Sequence, residues 1–286
     1  MSELLARAAL FSAVEGGHTF WSREIYDFGA LHVYQKLMNG GYDPIKYEKL
    51  ISEIREMQGD QVIEKIAQCG ARLLTPLDDD WPEQVNDLVN PPIALIVKGN
   101  TSALNVSALA IVGTRNPTSY GARIAGDFAA GFVDREWAVI SGGAYGIDSY
   151  AHKGALIAEG ITVAVVASGI DINYPAGNTR LFAEICESGA MVTEFMPGLK
   201  ALPNRFLTRN RLIAALSKAT LVVEAAFRSG SLRTARDAAE IFRPVMAIPG
   251  PINSPTSEGC HRLIGERAAE IVTSVADAVE FVGVNQ

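Results

Sequence analysis

Three features of the 286-residue chain predict an α/β fold built on a mostly parallel sheet. From about residue 104, short apolar runs rich in β-formers recur; stretches of helical spacing lie between most of them; and nearly every run stops in a loop rich in Gly, Ser or Asn. Strands that are apolar throughout are buried on both faces, the signature of a parallel sheet with helices on each side. An extended Rossmann-like domain is therefore expected over residues 86–286, with its ligand crevice at the carboxyl ends of the strands.

Ahead of that domain, residues 1–85 show no strong β alternation. ELLARAALFSAV, IYDFGALHVYQKLM and KYEKLISEIREMQGDQVIEKIAQCG have helical spacing, broken by Gly pairs at 16–17 and 40–41, so a small helical N-terminal domain is expected. The Pro-, Asp- and Asn-rich stretch TPLDDDWPEQVNDLVNPPIALIVKGN reads as the boundary and carries one short strand, Ile93 to Lys98. The main strands are expected in ALAIVG (108–113), WAVISGG (137–143), TVAVVASG (162–169), AMVTEF (190–195), TLVVEAA (220–226) and VMAIPG (245–250). Helices are expected between them, as in RIAGDFAAGFVD and TRLFAEICESG. Nothing in the chain orders these strands within the sheet.

Composition bounds the class. With 48% hydrophobic and 20% charged residues, the chain reads as a folded soluble protein. No apolar run is long enough to span a bilayer, and the N-terminus has an early Glu and no basic region, so neither a membrane segment nor a signal peptide is expected. Cys69, Cys186 and Cys260 lie far apart without metal-ligand spacing, which predicts reduced, buried thiols in a cytoplasmic protein and no structural zinc. The net charge of -7 argues against coating nucleic acid through general positive charge. The charge is uneven, however: residues 198–243 carry nine basic side chains against three acidic ones, a local +6.

Three strand-to-helix loops could carry chemistry. In IVGTRNPTSYGARIAG, Gly113 permits close backbone approach, Thr114 offers a hydroxyl and Arg115 a guanidinium, and Tyr120-Gly121 leads into a helix whose free N–H groups favour an anion. The alternative is a tight turn with a surface arginine. In ISGGAYGIDSYAHKGAL, Ser141, Gly142, Gly143 and Gly146 make a glycine-rich turn, and Asp148 is placed to cap the next helix. This is not the dinucleotide fingerprint, and His152, four residues after Asp148, reads as a structural histidine rather than a catalytic base. In VVEAAFRSGSLRTARDAAE, Ser229, Gly230 and Ser231 can aim hydroxyls and amides at a phosphate, with Arg228 beside them. Arg233 with Asp237 and Arg236 with Glu240 read instead as surface pairs, opposite a buried stripe of Leu232, Ala235, Ala239 and Phe242.

A fourth stretch, LPNRFLTRNRLIAALS, sets Arg205, Phe206, Arg209, Asn210 and Arg211 at the start of a helix. Cations mixed with an aromatic suit phosphate contact plus base stacking; a core Phe206 with solvated arginines is equally compatible. The chain has no Walker A lysine loop, HExxH, GxSxG or Cys–His pair near a glycine turn. Glu194 and Glu224, at strand ends, could serve as acids or bases, or brace the arginines.

Taken together, WPEQVNDLVNPPIALIVKGN, AIVGTRNPTSYG, ISGGAYGIDSYAHKGAL, SGIDINYPAGNTRLFAEI, GAMVTEFMPG, RFLTRNRLIAALS, VVEAAFRSGSLRTARDAAE and VMAIPGPINSPTSEGCHRLI resemble the DNA-processing protein A (DprA/Smf) family over residues 75 to 280. The resemblance implies an extended Rossmann-like domain that binds single-stranded DNA without a metal or nucleotide cofactor and forms a homodimer. It also implies protection of incoming single strands in natural transformation and help in loading the RecA recombinase. Gly113, Thr114 and Arg115 match the family's Gly-Ser-Arg phosphate-binding turn, with Thr for Ser. Ser141, Gly142, Gly143, Gly146, Phe206, Arg209, Asn210, Arg211, Ser229, Gly230 and Ser231 are implied at or near the DNA pocket. Two departures stand out. Tyr145 occupies the place of a usual Arg, and the chain ends at Gln286, so no C-terminal winged helix is expected. The N-terminal helices stand where members carry a small helical, SAM-like or related domain.

A single-stranded DNA-binding protein that is not an enzyme is thus the leading expectation. The rival is a nucleotide N-glycosidase using Glu194 or Glu224 as its acid; those enzymes share a PGGxGTxxE loop, where this chain reads RSGSLRTARD without the Glu. A third possibility is an adaptor that docks recombination proteins without touching DNA.

Overall fold

The computed structural model describes residues 1–284. Five helices open the chain: α1 (Glu3–Ala13), α2 (Thr19–Phe28), α3 (Ala30–Met38), α4 (Glu48–Glu56) and α5 (Gly59–Ala67). Strands β1 (Arg72–Leu74) and β2 (Leu95–Gly99) follow, and then the alternation that the apolar runs predict. In order it runs β3 (Ala108–Val112), α6 (Ser119–Val133), β4 (Ala138–Ser141), α7 (Ile147–Ile157), β5 (Thr162–Val165), α8 (Thr179–Ser188) and β6 (Ala190–Thr193). It continues through α9 (Pro203–Ala215), β7 (Ala219–Val222), α10 (Ser231–Glu240), β8 (Val245–Ala247), α11 (Glu258–Gly265), β9 (Glu270–Ile271) and α12 (Val275–Val284). Among the described residues no helix is long and apolar enough to cross a membrane.

The strands form one sheet in the order β1-β2-β6-β5-β4-β3-β7-β8-β9. β1 and β2 are antiparallel to their neighbours, and the pairings from β6 to β9 are parallel. Side chains alternate across a strand, so the apolar run of β3 divides between two cores. Ala108, Ala110 and Val112 pack with Leu212 and Ile213 of α9 and Leu232 and Ala235 of α10. Leu109 and Ile111 pack with Phe128 and Phe132 of α6, Ala151 of α7 and Ala278 of α12. Burial on both faces is what selected apolar residues at every position of the run. From β3 the order leads to β4 on one side and to β7 on the other, which makes the carboxyl ends of these strands a topological switch point and leaves a crevice there.

Several expectations are corrected. The sheet takes its first strand from Arg72–Leu74, ahead of the expected boundary at residue 85, and that boundary falls inside a 3-10 turn, Glu83–Asp87. The N-terminal helices also share a core with the sheet, since Leu10, Phe11, Trp21 and Ile66 cluster with Ile96, Ala164, Phe182 and Met191. Arg72–Leu74 holds only two apolar residues, too few to register as an apolar run, which hid it in the sequence. The long IYDFGALHVYQKLM pattern is divided at Gly29, and the KYEKLISEIREMQGDQVIEKIAQCG pattern at Met57 and Gln58. On α10 the buried apolar residues are Leu232, Ala235 and Ala238, and Asp237, expected in a surface pair, is buried at 3% exposure, while Ala239 is exposed and Phe242, just past the helix, is 94% exposed. The Phe242 backbone has turned to φ 59°, so a period carried on from the helix misplaces it. Of the three free cysteines only Cys260 is buried; Cys69 and Cys186 are half-buried.

Candidate nucleic-acid interface

At the switch point lies an open cleft of about 390 Å³. The loop after β3 supplies Gly113, Thr114 and Arg115; the loop after β4 supplies Ala144 and the first turn of α7 Asp148; α9 supplies Phe206, Leu207, Arg209, Asn210 and Ile213; and the loop after β7 supplies Arg228, Ser229 and Gly230, with Ser231 opening α10. Four stretches far apart in the chain thus meet at one place. The lining carries Arg115, Arg209 and Arg228 against the single carboxylate of Asp148. That is a net +2 within a chain of net charge -7. A concave, low-dielectric wall strengthens the pull of such a charge on an anion.

Local backbone chemistry holds the loops in register. The Thr114 N–H donates to the Glu224 carbonyl (2.6 Å) and its own carbonyl accepts from Ile147 N–H (3.1 Å), tying the β3 loop both to β7 and to α7. Gly146 has φ 81°, and a Cβ there would overlap the Thr114 carbonyl and the Arg115 backbone, so only glycine lets the two loops touch. Gly142 serves a second close approach. A Cβ on it would occupy the position of the Arg209 guanidinium, whose Nη1 donates to the Val165 carbonyl at 2.9 Å. Arg209 is 4% exposed, and burial brings its pKa down to about 10, an effect that Asp148 opposes and Arg115 adds to. It therefore stays cationic at neutral pH, with Nη2 making no hydrogen bond among the described residues. Asp148 does not cap its helix. Its Oδ2 accepts from the Gly142 (3.2 Å) and Ala144 (3.3 Å) N–H groups, and burial pushes its carboxyl above the ordinary range against the pull of Arg209.

Phe206 stands at the mouth, half-buried, with the Arg115 guanidinium 5.1 Å and that of Arg209 5.8 Å from its ring centre. Arg115 and Arg228 are exposed. Asn210 fastens α9 to the β7 loop, its Nδ2 donating to the Gly230 carbonyl at 3.2 Å. Ser229 and Ser231 bond each other through their hydroxyls (2.7 Å). The pair uses one hydroxyl hydrogen and leaves one for a ligand, not the two the sequence suggested. The amides of Ser229, Ser231, Leu232 and Arg233 already donate within the turn, which lowers the number available to an anion.

Four predicted positions lie elsewhere. The Ser141 hydroxyl donates inward to the Ile111 carbonyl (2.6 Å) and is fully buried. Arg205 forms a two-pronged pair with Glu15 (2.6 and 3.0 Å) and donates to the Lys200 carbonyl, bracing α9 to the end of α1. Arg211 gives its Nη2 to both oxygens of Glu194 (2.7 and 2.6 Å) on the far side of the helix. Gly143 backs the loop against the Phe182 ring without lining the cleft. Helical period was the signal that would have sorted them: at 100° per residue, Phe206, Arg209, Asn210 and Ile213 share a face, and Arg205 and Arg211 fall off it. The same count would have added Ile213 to the expected lining.

The helix that follows the β3 loop is also differently used. It begins at Ser119, and the anion at its N-terminus is the chain's own Glu224, which accepts from Thr118 N–H (2.9 Å), the Thr118 hydroxyl (2.7 Å) and the Thr256 hydroxyl (3.2 Å). Glu224 thus braces loops and Glu194 an arginine; neither lines the cleft. His152 is fully buried, its Nδ1 2.7 Å from the Thr162 hydroxyl, with no bond to Asp148. Burial, with Arg209 adding, lowers its pKa to about 3.

Comparison with known proteins places this architecture. The chain is 46% identical over 234 residues to the putative DNA processing protein DprA of Mycobacterium tuberculosis (strain ATCC 25618 / H37Rv), covering 77% of this chain and 60% of that protein. It is 43% identical over 209 residues to protein Smf of Escherichia coli (strain K12), covering 72% and 56%. The chain therefore spans little more than half the length of these relatives. The X-ray structure of DNA processing protein A from Streptococcus pneumoniae superposes with a TM-score of 0.82 at 32% identity, covering 95% of both chains. A structure addressing the single-stranded DNA binding mode of DNA processing protein A from Helicobacter pylori has a TM-score of 0.69 at 27% identity, covering 75% of this chain and 96% of that one. Residues 72–283 match the model of the DNA recombination-mediator protein A family, and the chain belongs to that family.

Proposed function

We propose that this protein binds single-stranded DNA in the cleft at the ends of β3, β4 and β7, as a recombination mediator without catalytic activity of its own. The observation that carries the reading is the meeting of Arg115, Arg209 and Arg228 with a half-buried aromatic, Phe206, in one open cleft on an acidic protein. Cations that track phosphates, beside a ring that takes a base face, are what a single strand needs; duplex DNA offers no free base face. In this reading the protein acts in the cytoplasm as a homodimer, shields incoming single strands and helps load RecA. Family membership and the strand-binding relative from Helicobacter pylori support it.

The glycosidase reading draws no support from the site, because Glu194 and Glu224 are both engaged away from the cleft. A gel shift with single-stranded and duplex oligonucleotides, run beside a nucleoside monophosphate hydrolysis assay, tests all three readings. Retention of the single strand, weakening as salt rises, with no base released, is the expected result. Release of free base would establish an enzyme. Failure to bind either DNA would leave the adaptor reading.

A further inference from the structure

Two exposed tyrosines flank the cleft. Tyr145 follows Ala144 of the cleft wall and is 49% exposed. Tyr174 is 46% exposed, and its ring centre lies 5.6 Å from that of Phe206, tilted by 58°. The two belong to different loops, yet they are fixed to each other by the turn at residues 174–178. The Tyr145 hydroxyl accepts from the Gly177 N–H at 3.2 Å, and a Cβ on Gly177 would overlap that hydroxyl, so the turn is shaped to seat the phenol. Asn178, buried in the same turn, donates from Nδ2 to the Gly143 carbonyl (2.9 Å) and to the Ser149 hydroxyl (2.8 Å). The ring of Tyr145 is thereby held at its polar end while about half of the residue stays in water.

We propose that Phe206, Tyr174 and Tyr145 form an aromatic path leading out of the cleft, on which successive bases of a single strand stack beyond the nucleotide held by the arginines. The proposal rests on the cleft being a single-strand site and extends it by a second kind of contact. Neither 145 nor 174 carries a charge, so this stretch offers a strand ring faces and adds no cation for a phosphate. Stacking accepts any base, because each has a π-face. A ring anchored through its hydroxyl has little rotamer freedom left to lose when a base settles on it. The path continues directly from the cleft through Phe206, whose ring also meets the guanidinium groups of Arg115 and Arg209.

The test is fluorescence anisotropy with labelled oligo-dT of about 12 nucleotides and with an abasic oligomer of equal length, which keeps the phosphates and removes the bases. Tyr145→Ala and Tyr174→Leu should each bind oligo-dT about tenfold more weakly than wild type, bind the abasic oligomer as wild type does, and keep the wild-type salt dependence. Tyr145→Phe should stay within about threefold of wild type, since the ring remains. Tyr26→Ala, removing a similarly exposed tyrosine on α2, should change nothing. If Tyr145→Ala matches wild type on oligo-dT while Arg115→Ala is weak, the path is wrong and the cleft reading stands. Equal losses on both oligomers would make the tyrosines mere supports of the loop and overturn the proposal. Loss in Tyr145→Phe as large as in Tyr145→Ala would overturn it too. If Arg115→Ala binds as tightly as wild type, the cleft reading itself fails.

Discussion

Arg209 and Arg211 stand two residues apart on α9, both more than nine-tenths buried, and their surroundings differ in one respect. Arg211 meets a carboxylate at salt-bridge distance, Glu194 at 2.6 Å, inside the protein. Arg209 has no carboxylate within salt-bridge distance among the described residues; its guanidinium bonds only the Val165 carbonyl, and Asp148 acts on it through longer-range attraction. The same contrast runs through Arg205, paired with Glu15, and through Phe206, which opens to the cleft. One helix thus presents a cleft face and a bracing face made from the same residue types. A count of arginines does not measure binding charge; the carboxylates already within reach decide it.

The bracing face can be broken most severely at Arg211. Arg211→Ala leaves the buried Glu194 carboxylate unpaired, and should cost about 3–5 kcal/mol of stability by urea unfolding. Replacing both partners with apolar residues, Glu194→Met with Arg211→Leu, should recover most of that loss. The folded fraction of either variant should hold single-stranded DNA as wild type does.

The cleft face has a different signature, in pH. His152 beneath it is neutral in the fold, with its pKa near 3 against an unfolded value near 6.5. Between those values the unfolded chain binds one more proton than the native one, so stability falls as pH is lowered through this window, by about 1.4 kcal/mol per pH unit from this group. His152→Gln should flatten the fall by about one proton when urea midpoints are compared between pH 7 and 5. An unchanged slope would show that the histidine is not held neutral.

Arg205 should show the smallest effect. Its partner Glu15 is half-exposed, so Arg205→Ala strands no buried charge and should cost about 1 kcal/mol, with the lost packing over Phe195 contributing.

Most of the sheet was legible because apolar runs of four or more residues, each buried on both faces, leave no other reading. β1 and β9 were not, with two apolar residues and one. The loops at 113–115 and 228–231 were legible as anion-suited because glycine, hydroxyl and guanidinium fall side by side. What the chain could not display was pairing at a distance. Glu15 reaches Arg205 across 190 positions, and Glu224 reaches Thr118 across 106, and these contacts removed an arginine and a helix N-terminus from the expected site. Ser141 was lost for a related reason: the last residue of β4 is close enough to β3 for its hydroxyl to bond the Ile111 carbonyl. The aromatic path was equally hidden, since Tyr145 and Tyr174 meet only through a turn that Asn178 pins.

The central claim is that DNA phosphates meet the cleft face of α9 and the loops opposite it, and not the bracing face. Its most direct test is the salt dependence of oligo-dT binding in Arg115→Ala and Arg228→Ala against Arg205→Ala. Each cleft arginine removed should reduce the slope of log K on log salt by about 0.7, while Arg205→Ala keeps the wild-type slope. A reduced slope in Arg205→Ala, with Arg115→Ala and Arg228→Ala unchanged, would contradict the account.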